Sequence, residues 1–278
     1  MQILVIGGAG MLGRAITRSL VQSGHTVKSF DLQPSPGSLV GDIRDAAAVT
    51  SACVGMDAVI HTVAYVNQIP RKQPIMYDIN VQGTRHVIAA CQAARVPRLI
   101  YTSSIDVVFD GTPIANGDET LPYPARHLDY YSETKMLAEQ EVIAANGSGG
   151  LATCSLRAAG IYGEHDRHRF PNVIPRIAQS GKYTVVGDGT SKCNHIYVDN
   201  MAHAFNLAVD RLNEASPLAG QSYFITDYAP SNFFEFFKPF LDALGIRYTE
   251  SRLSAGLAML LARGAERLYQ LKGGSAPV

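Results

Sequence analysis

The feature that most constrains this chain is a glycine-rich turn set directly after an apolar run. Ile3-Leu4-Val5-Ile6 leads into Gly7-Gly8-Ala9-Gly10-Met11-Leu12-Gly13, and a helical pattern covers Met11–Ser23. The order strand, tight turn, helix start gives weight to a motif that is weak alone. Gly7, Gly10 and Gly13 permit a sharp turn and close approach of the backbone to a pyrophosphate. Main-chain amides at the helix start, those of Met11 and Leu12 among them, then face its negative charge. The plain alternative is a glycine turn that holds nothing.

The rest of the chain repeats this alternation. Thr26–Phe30, Ala58–His61, Leu99–Ser103 and Ala152–Leu156 read as strands; Ala46–Cys53, Asn80–Ala94 and Tyr131–Ala145 read as helices. Apolar strands alternating with helices imply a parallel sheet covered on both faces. The expected fold is therefore α/β, a Rossmann-type doubly wound parallel sheet with a smaller C-terminal lobe. After residue 157 the pattern loosens: Tyr197–Val209 reads as a helix and Tyr223–Thr226 as a strand, among loops. Residues 1–157 are assigned to the nucleotide-binding domain and 158–278 to a substrate-binding lobe interleaved with it.

Composition narrows the partners. The 278 residues carry 24 Lys+Arg and 24 Asp+Glu, a formal net charge of zero, which gives no reason to expect nucleic acid. Met1 leads straight into a strand without a signal-peptide pattern. No apolar run approaches the roughly 20 residues that span a bilayer. Cys53, Cys91, Cys154 and Cys193 are widely spaced, so reduced thiols and a cytoplasmic location are expected. Glu164-His165-Asp166-Arg167-His168 fits no ligand spacing, and no metal is expected. The Leu- and Ala-rich stretch Leu253–Leu271 has two readings: a helix packed on the body or on a second subunit, or an interfacial helix lying on a bilayer. Phe233, Phe234, Phe236, Phe237 and Phe240 read as core, with an apolar pocket wall as the alternative.

Asp31 ends the second strand, about 20 residues after the glycines, where a carboxylate accepts hydrogen bonds from the adenosine ribose hydroxyls. It would repel a 2′-phosphate, which favours NAD over NADP. A turn aspartate before Pro34 is the plain alternative. Asp42 and Ile43 follow Leu39-Val40-Gly41 and are placed to meet the adenine edge. Thr62, Val63 and Ala64, after His61, are placed to line the cofactor channel, and Thr102 in the next strand joins them.

Tyr131 and Lys135 stand four residues apart and so share a helix face. A free tyrosine titrates near pH 10, and a nearby ammonium stabilises the phenolate and lowers that value. The lysine can also donate to the nicotinamide ribose. Tyr130 competes, but Thr134 at its matching offset brings no charge. Ser104 closes the run Tyr101-Thr102-Ser103-Ser104, and its hydroxyl could orient a substrate oxygen toward the phenol. Its plain alternative is a capping serine. Together these groups imply hydride transfer between a nicotinamide and an alcohol carbon.

The glycine pattern, Asp31, Tyr101–Val107 and Tyr131-Ser132-Glu133-Thr134-Lys135 resemble an extended short-chain dehydrogenase/reductase. The runs Glu141–Gly147, Thr153–Arg157 and Gly160–Glu164 resemble its 3β-hydroxysteroid and sterol-4-carboxylate dehydrogenase branch. The likeness spans roughly residues 1 to 245. It implies Tyr131 as the base, Lys135 as its partner, Ser104 as the third member, and Asn80 as support for the lysine through water. It also implies an apolar secondary alcohol or ketone of steroid, sterol or terpenoid type, and a homodimer formed by the helices Asn80–Ala94 and Tyr131–Ala145. Ala158 departs from the family, which usually has proline after the arginine. A nucleotide-sugar epimerase or dehydratase of the same fold is the first rival, with Arg167, Arg169, Arg176 and Lys192 available to grip a diphosphate. A non-catalytic NAD-sensing protein is the second, and an intact Ser104/Tyr131/Lys135 set argues against it.

Overall fold

Alternate residues of the first apolar run are buried on opposite faces of one sheet. The computed structural model describes residues 1–35, 37–67, 73–167 and 169–271. Strands β1 (Gln2–Ile6), β2 (Thr26–Asp31), β3 (Ser38–Val40), β4 (Ala58–His61), β5 (Arg98–Ser104), β6 (Ala152–Ala158) and β7 (Gln221–Ile225) lie in the order β7-β6-β5-β4-β1-β2-β3. Every pairing is parallel. Ile3 and Val5 join a core with Leu12 and Ile16 of α1 (Met11–Gln22). Leu4 and Ile6 join the opposite core with Val49 of α2 (Ala46–Cys53). The sheet is covered on both faces, as its unbroken apolar strands require.

The helix expected to begin at Asn80 begins earlier. It starts as α3 (Pro74–Tyr77), passes through a π-helical turn at Asp78–Gln82 and continues as α4 (Gly83–Ala93). Pro74 suits a first helical position, and the wider turn breaks the 3.6-residue period that marks a helix in sequence. Beyond β5, helix α5 (Tyr130–Ala144) is capped by Asp129, which accepts from the Ser132 amide at 2.7 Å. Helix α6 (Val198–Arg211) packs Met201 and Phe205 into the same core as α1. The chain leaves β1 toward both sheet edges, so the carboxyl ends of β1 and β4 flank the point where open α/β sheets hold ligands.

Two compact units result: Met1–His165 with Ile196–Asp227, and Asp166–His195 with Tyr228–Val278. In the second, Ile177, Tyr183, Phe237 and Leu241 form a core against which Phe170, Phe234 and Phe236 pack. Phe233 stands 41% exposed outside it. A helix spans Ala255–Leu271, in which Leu257, Met259, Leu260 and Leu261 are exposed. Among the described residues no helix is long and apolar enough to cross a membrane. Among them, too, no three acidic, histidine or cysteine side chains gather as a metal site. His168, the last of the Glu164–His168 run, lies outside the described residues.

Candidate active site

The glycine turn is built to admit nothing larger than hydrogen at its crossing points. Gly7 sits at φ +93° and donates to the Phe30 carbonyl at 2.8 Å, which joins the turn to β2. A Cβ on Gly13 would lie 2.1 Å from the Gly7 oxygen and 2.7 Å from Gly8 Cα, both backbone atoms. Helix α1 then opens with Gly10 at its N-cap and no side-chain acceptor. Its first amides keep the partial positive charge that draws an anion.

Asp31 ends β2 beneath this turn. One carboxylate oxygen accepts from the Ala9 amide at 3.0 Å and the other from the Gln33 amide at 3.0 Å. It is thus a turn aspartate and a carboxylate fixed beside the glycines at once. Thr62 follows β4, its amide donating to the Ile6 carbonyl at 2.9 Å, and half-buried Val63 and Ala64 come next. Gly7, Gly10, Gly13, Asp31 and Thr62–Ala64 therefore gather at the carboxyl ends of β1, β2 and β4. Asp42 and Ile43 follow β3. The Asp42 carboxylate is engaged by Arg44, whose hydrogen bond and charge hold it below the ordinary value despite some burial. Ile43 is buried against Gly83.

The residues expected to handle a proton lie at the end of β5 and the start of α5. Ser104 closes β5 and caps the 3-10 turn Ile105–Val108. Its hydroxyl accepts from the Asp106 amide at 3.2 Å and donates to the Asp106 carboxylate at 3.0 Å, and it lies near enough to the Tyr131 phenol to bear on its ionisation. Ser104 is thus a capping serine, placed at the carboxyl end of β5. Burial pushes the Tyr131 phenol up, the Asp106 and Asp129 carboxylates push it further, and only Ser104 opposes them. That direction is opposite to the one the Tyr–Lys spacing predicts. Lys135, fully buried, sends its ammonium into the sheet, donating to the Tyr101 hydroxyl at 2.6 Å and the Thr102 carbonyl at 2.5 Å. Burial pulls its pKa down to about 7, with Glu139 opposing.

Asn80 stands inside the π-helical turn, not at a helix start. Its Oδ1 accepts from the Tyr65 amide at 2.7 Å, and its Nδ2 donates to the Tyr65 carbonyl at 3.1 Å and to Thr134 Oγ1 at 3.0 Å. It ties the loop after β4 to α5, one residue before Lys135. Sequence reasoning passed over Tyr101 and Asp106. The only sequence signal for them was their place in the run that contains Ser104.

Comparison with known proteins identifies the family and the fold. The model of the 3-beta hydroxysteroid dehydrogenase/isomerase family matches residues 4–255. A relative named 3 beta-hydroxysteroid dehydrogenase/Delta 5-->4-isomerase, from Mycobacterium tuberculosis, is 38% identical over 290 residues, covering 100% of this chain and 78% of that protein. Among solved structures, a short-chain dehydrogenase/reductase superfamily protein from Agrobacterium tumefaciens with bound NAD superposes with a TM-score of 0.74 at 25% identity, over 91% of this chain and 86% of that one. The UDP-glucose 4-epimerase of Thermus thermophilus, in complex with NAD, shares the fold at a TM-score of 0.75 and 22% identity, over 95% of this chain and 93% of that one. The chain belongs to the 3-beta hydroxysteroid dehydrogenase/isomerase family and is a dehydrogenase of the extended short-chain dehydrogenase/reductase type.

Proposed function

We propose that this NAD-dependent dehydrogenase interconverts a secondary alcohol and a ketone on an apolar, steroid-like substrate, with Tyr131 as the acid–base group. The observation that carries the reading is that Ser104 closes β5 while Tyr131 and Lys135 stand on α5, with Lys135 bonded to β5 at the Thr102 carbonyl. The family match supports the steroid-like class.

The residues present fit a dinucleotide. Gly13 is too tightly approached by backbone to carry a side chain, α1 opens without a side-chain cap, and Asp31 is held by two amides beside the turn. Gly7–Gly13 would hold the pyrophosphate, Asp31 the adenosine ribose, and Thr62–Ala64 the channel beyond. A carboxylate at Asp31 disfavours a 2′-phosphate and so selects NAD over NADP. When bound, NAD supplies the hydride acceptor. The chain's own residues move the proton: Tyr131 Oη takes it from the substrate hydroxyl in oxidation and returns it in reduction. Ser104 Oγ orients the oxygen. Lys135 retains one N–H beyond its two bonds, because an ammonium has three donors. That N–H serves the nicotinamide ribose or the phenol. The second unit is the substrate-side lobe, and α4 and α5 supply the homodimer contact.

NADH formation from NAD and a panel of 3β-hydroxysteroids, run beside a panel of UDP-sugars, tests the reading. Steroid oxidation with NAD, and little with NADP, is expected. Turnover or thermal stabilisation confined to UDP-sugars would instead establish the epimerase-type rival.

The cradle is tested separately by Gly13→Ala. Relieving the clash with Gly7 and Gly8 means moving backbone, at a cost of about 1–3 kcal/mol by the usual scale of overpacking. NADH affinity, read by fluorescence titration, is expected to fall roughly tenfold or more. An unchanged affinity would remove the glycine turn from the cofactor site.

A further inference from the structure

The buried lysine is held by a partner that its spacing with Tyr131 does not suggest. Lys135 donates to Tyr101 Oη at 2.6 Å, and its nitrogen also lies 4.2 Å from the Tyr101 ring centre. The Thr84 hydroxyl neighbours Tyr101 and bears on its ionisation. Thr84 donates in turn to the Asn80 carbonyl at 2.6 Å, and His61 Nε2 lies 2.9 Å from the Thr84 oxygen. Donor inventory fixes the directions. An ammonium only donates, so Tyr101 accepts from Lys135 and has its own hydrogen left for Thr84. The Thr84 hydrogen is committed to the Asn80 carbonyl, so the Thr84 oxygen accepts from Tyr101 and from His61. Lys135, Tyr101, Thr84, Asn80 and His61 are each 2% exposed or less.

We infer that Tyr101 is a positioning residue, which fixes the Lys135 ammonium against β5 through a one-way hydrogen-bond chain ending on the Asn80 main-chain carbonyl. The inference rests on the acid–base reading of Tyr131 for its purpose, but not for its geometry. A carbonyl takes no proton at neutral pH, so the chain fixes the lysine and carries no proton away. It also gives Asn80 a hold on the lysine different from the water-mediated one that the family resemblance implies: two side-chain hydroxyls in series, of which that of Thr84 bonds its main-chain carbonyl.

The charged form of Lys135 is the one that Tyr101 favours, because an oxygen accepting from an ammonium stabilises it. Burial opposes that form and leaves Lys135 titrating at about 7. The charged or titratable groups around it are His61 on β4, Tyr101 on β5, and Glu139 and Tyr131 on its own helix, with Arg157 of β6 paired to Glu139. His61 is held neutral, pulled down to about 3 by burial and then by the lysine charge. Tyr101 is pushed far up by burial and stays protonated. Near neutral pH neither competes with Lys135 for a proton.

The test is an NMR pH titration of the whole protein carrying 13C-labelled lysine, with the Lys135 signal assigned by its loss in Lys135→Met. In Tyr101→Phe the ring remains and only the hydroxyl goes. The Lys135 midpoint is expected to move to lower pH by roughly one unit or more, the worth of one hydrogen bond to a charged group. Thr84→Val, which cuts the next link, is expected to shift it in the same direction by less, and Thr84→Ser to restore the native midpoint. A midpoint unmoved in both Tyr101→Phe and Thr84→Val would overturn the assignment. Should Tyr101→Phe fail to fold, the Thr84 pair decides alone: a shift with valine and none with serine supports the chain, and no shift with either overturns it. None of these readings needs turnover, so a protein that proves inactive on steroids would refute the proposed function and leave this result standing.

Discussion

Replacing Tyr131 with phenylalanine is expected to lower turnover of a 3β-hydroxysteroid by roughly 10²–10⁴-fold, the usual range for losing a general acid–base group. NADH affinity is expected to stay within a few-fold, because Tyr131 stands at the start of α5 and is no part of the glycine cradle. The ring is retained, so packing at the start of α5 changes little. A second signature follows from electrostatics. Burial and the carboxylates of Asp106 and Asp129 raise the phenol above the ordinary tyrosine range. The base form therefore accumulates only as pH rises, and oxidation should quicken steadily through neutral into alkaline solution. Reduction, which uses the protonated phenol, should show no such alkaline rise. In Tyr131→Phe the alkaline rise in oxidation should vanish. Steady-state rates in both directions across pH, with fluorescence titration of NADH, check both signatures. Equal losses in turnover and in cofactor affinity would falsify the assigned role.

The parts of this site that were legible in the sequence are those written in local spacing. Gly7, Gly10 and Gly13 announced the turn because strand, glycines and helix start are contiguous. Tyr131 and Lys135 announced a shared helix face because four residues make about one turn. The parts that were hidden depend on contacts between distant segments. Lys135 and Tyr101 are 34 residues apart, and Asn80 and Thr134 are 54 apart. No periodicity reports such pairs. The direction of the Tyr131 shift was hidden for the same reason: the ammonium expected to lower it is drawn to Tyr101, and the carboxylate of Asp106 reaches the phenol's surroundings through Ser104. In the fold, β3 and the strand Thr249–Leu253 went unread because they are short and partly exposed, without an apolar run. The π-helical turn at Asp78–Gln82 concealed the helix start at Pro74 by adding a residue to the period.

One turn of α5 beyond Lys135, Glu139 is wholly buried and pairs with Arg157 of β6 at 2.8 Å. Its carboxylate also accepts from the Tyr123 hydroxyl at 2.7 Å and the Ser155 hydroxyl at 2.7 Å. Burial alone would raise this carboxyl, but the hydrogen bonds and charge of Arg157, with the hydrogen bond from Ser155, hold it below its ordinary value. A carboxylate lowered in the folded state adds stability above the unfolded-state pKa, and that stability is lost as pH falls through the folded one. Glu139→Met leaves the Arg157 guanidinium buried between the Tyr123 and Phe224 rings, 5.5 and 5.2 Å away, with no counter-charge. Removing one member of a buried pair costs about 3–5 kcal/mol, and in a chain of this size that lowers Tm by roughly 6–20 °C. Glu139→Met combined with Arg157→Met removes both charges and is expected to regain much of the loss, since apolar pairs of similar volume commonly replace buried ion pairs at little cost. Thermal unfolding of the two single variants and the double variant at pH 7, repeated in acid, measures the coupling. The native protein should lose part of its advantage over the double variant as pH falls, because protonating Glu139 repeats the single substitution chemically. A double variant as unstable as the sum of the singles would show that the two groups act separately. The register of α5 on β6, and with it the approach of Lys135 to Tyr101, would then need another source.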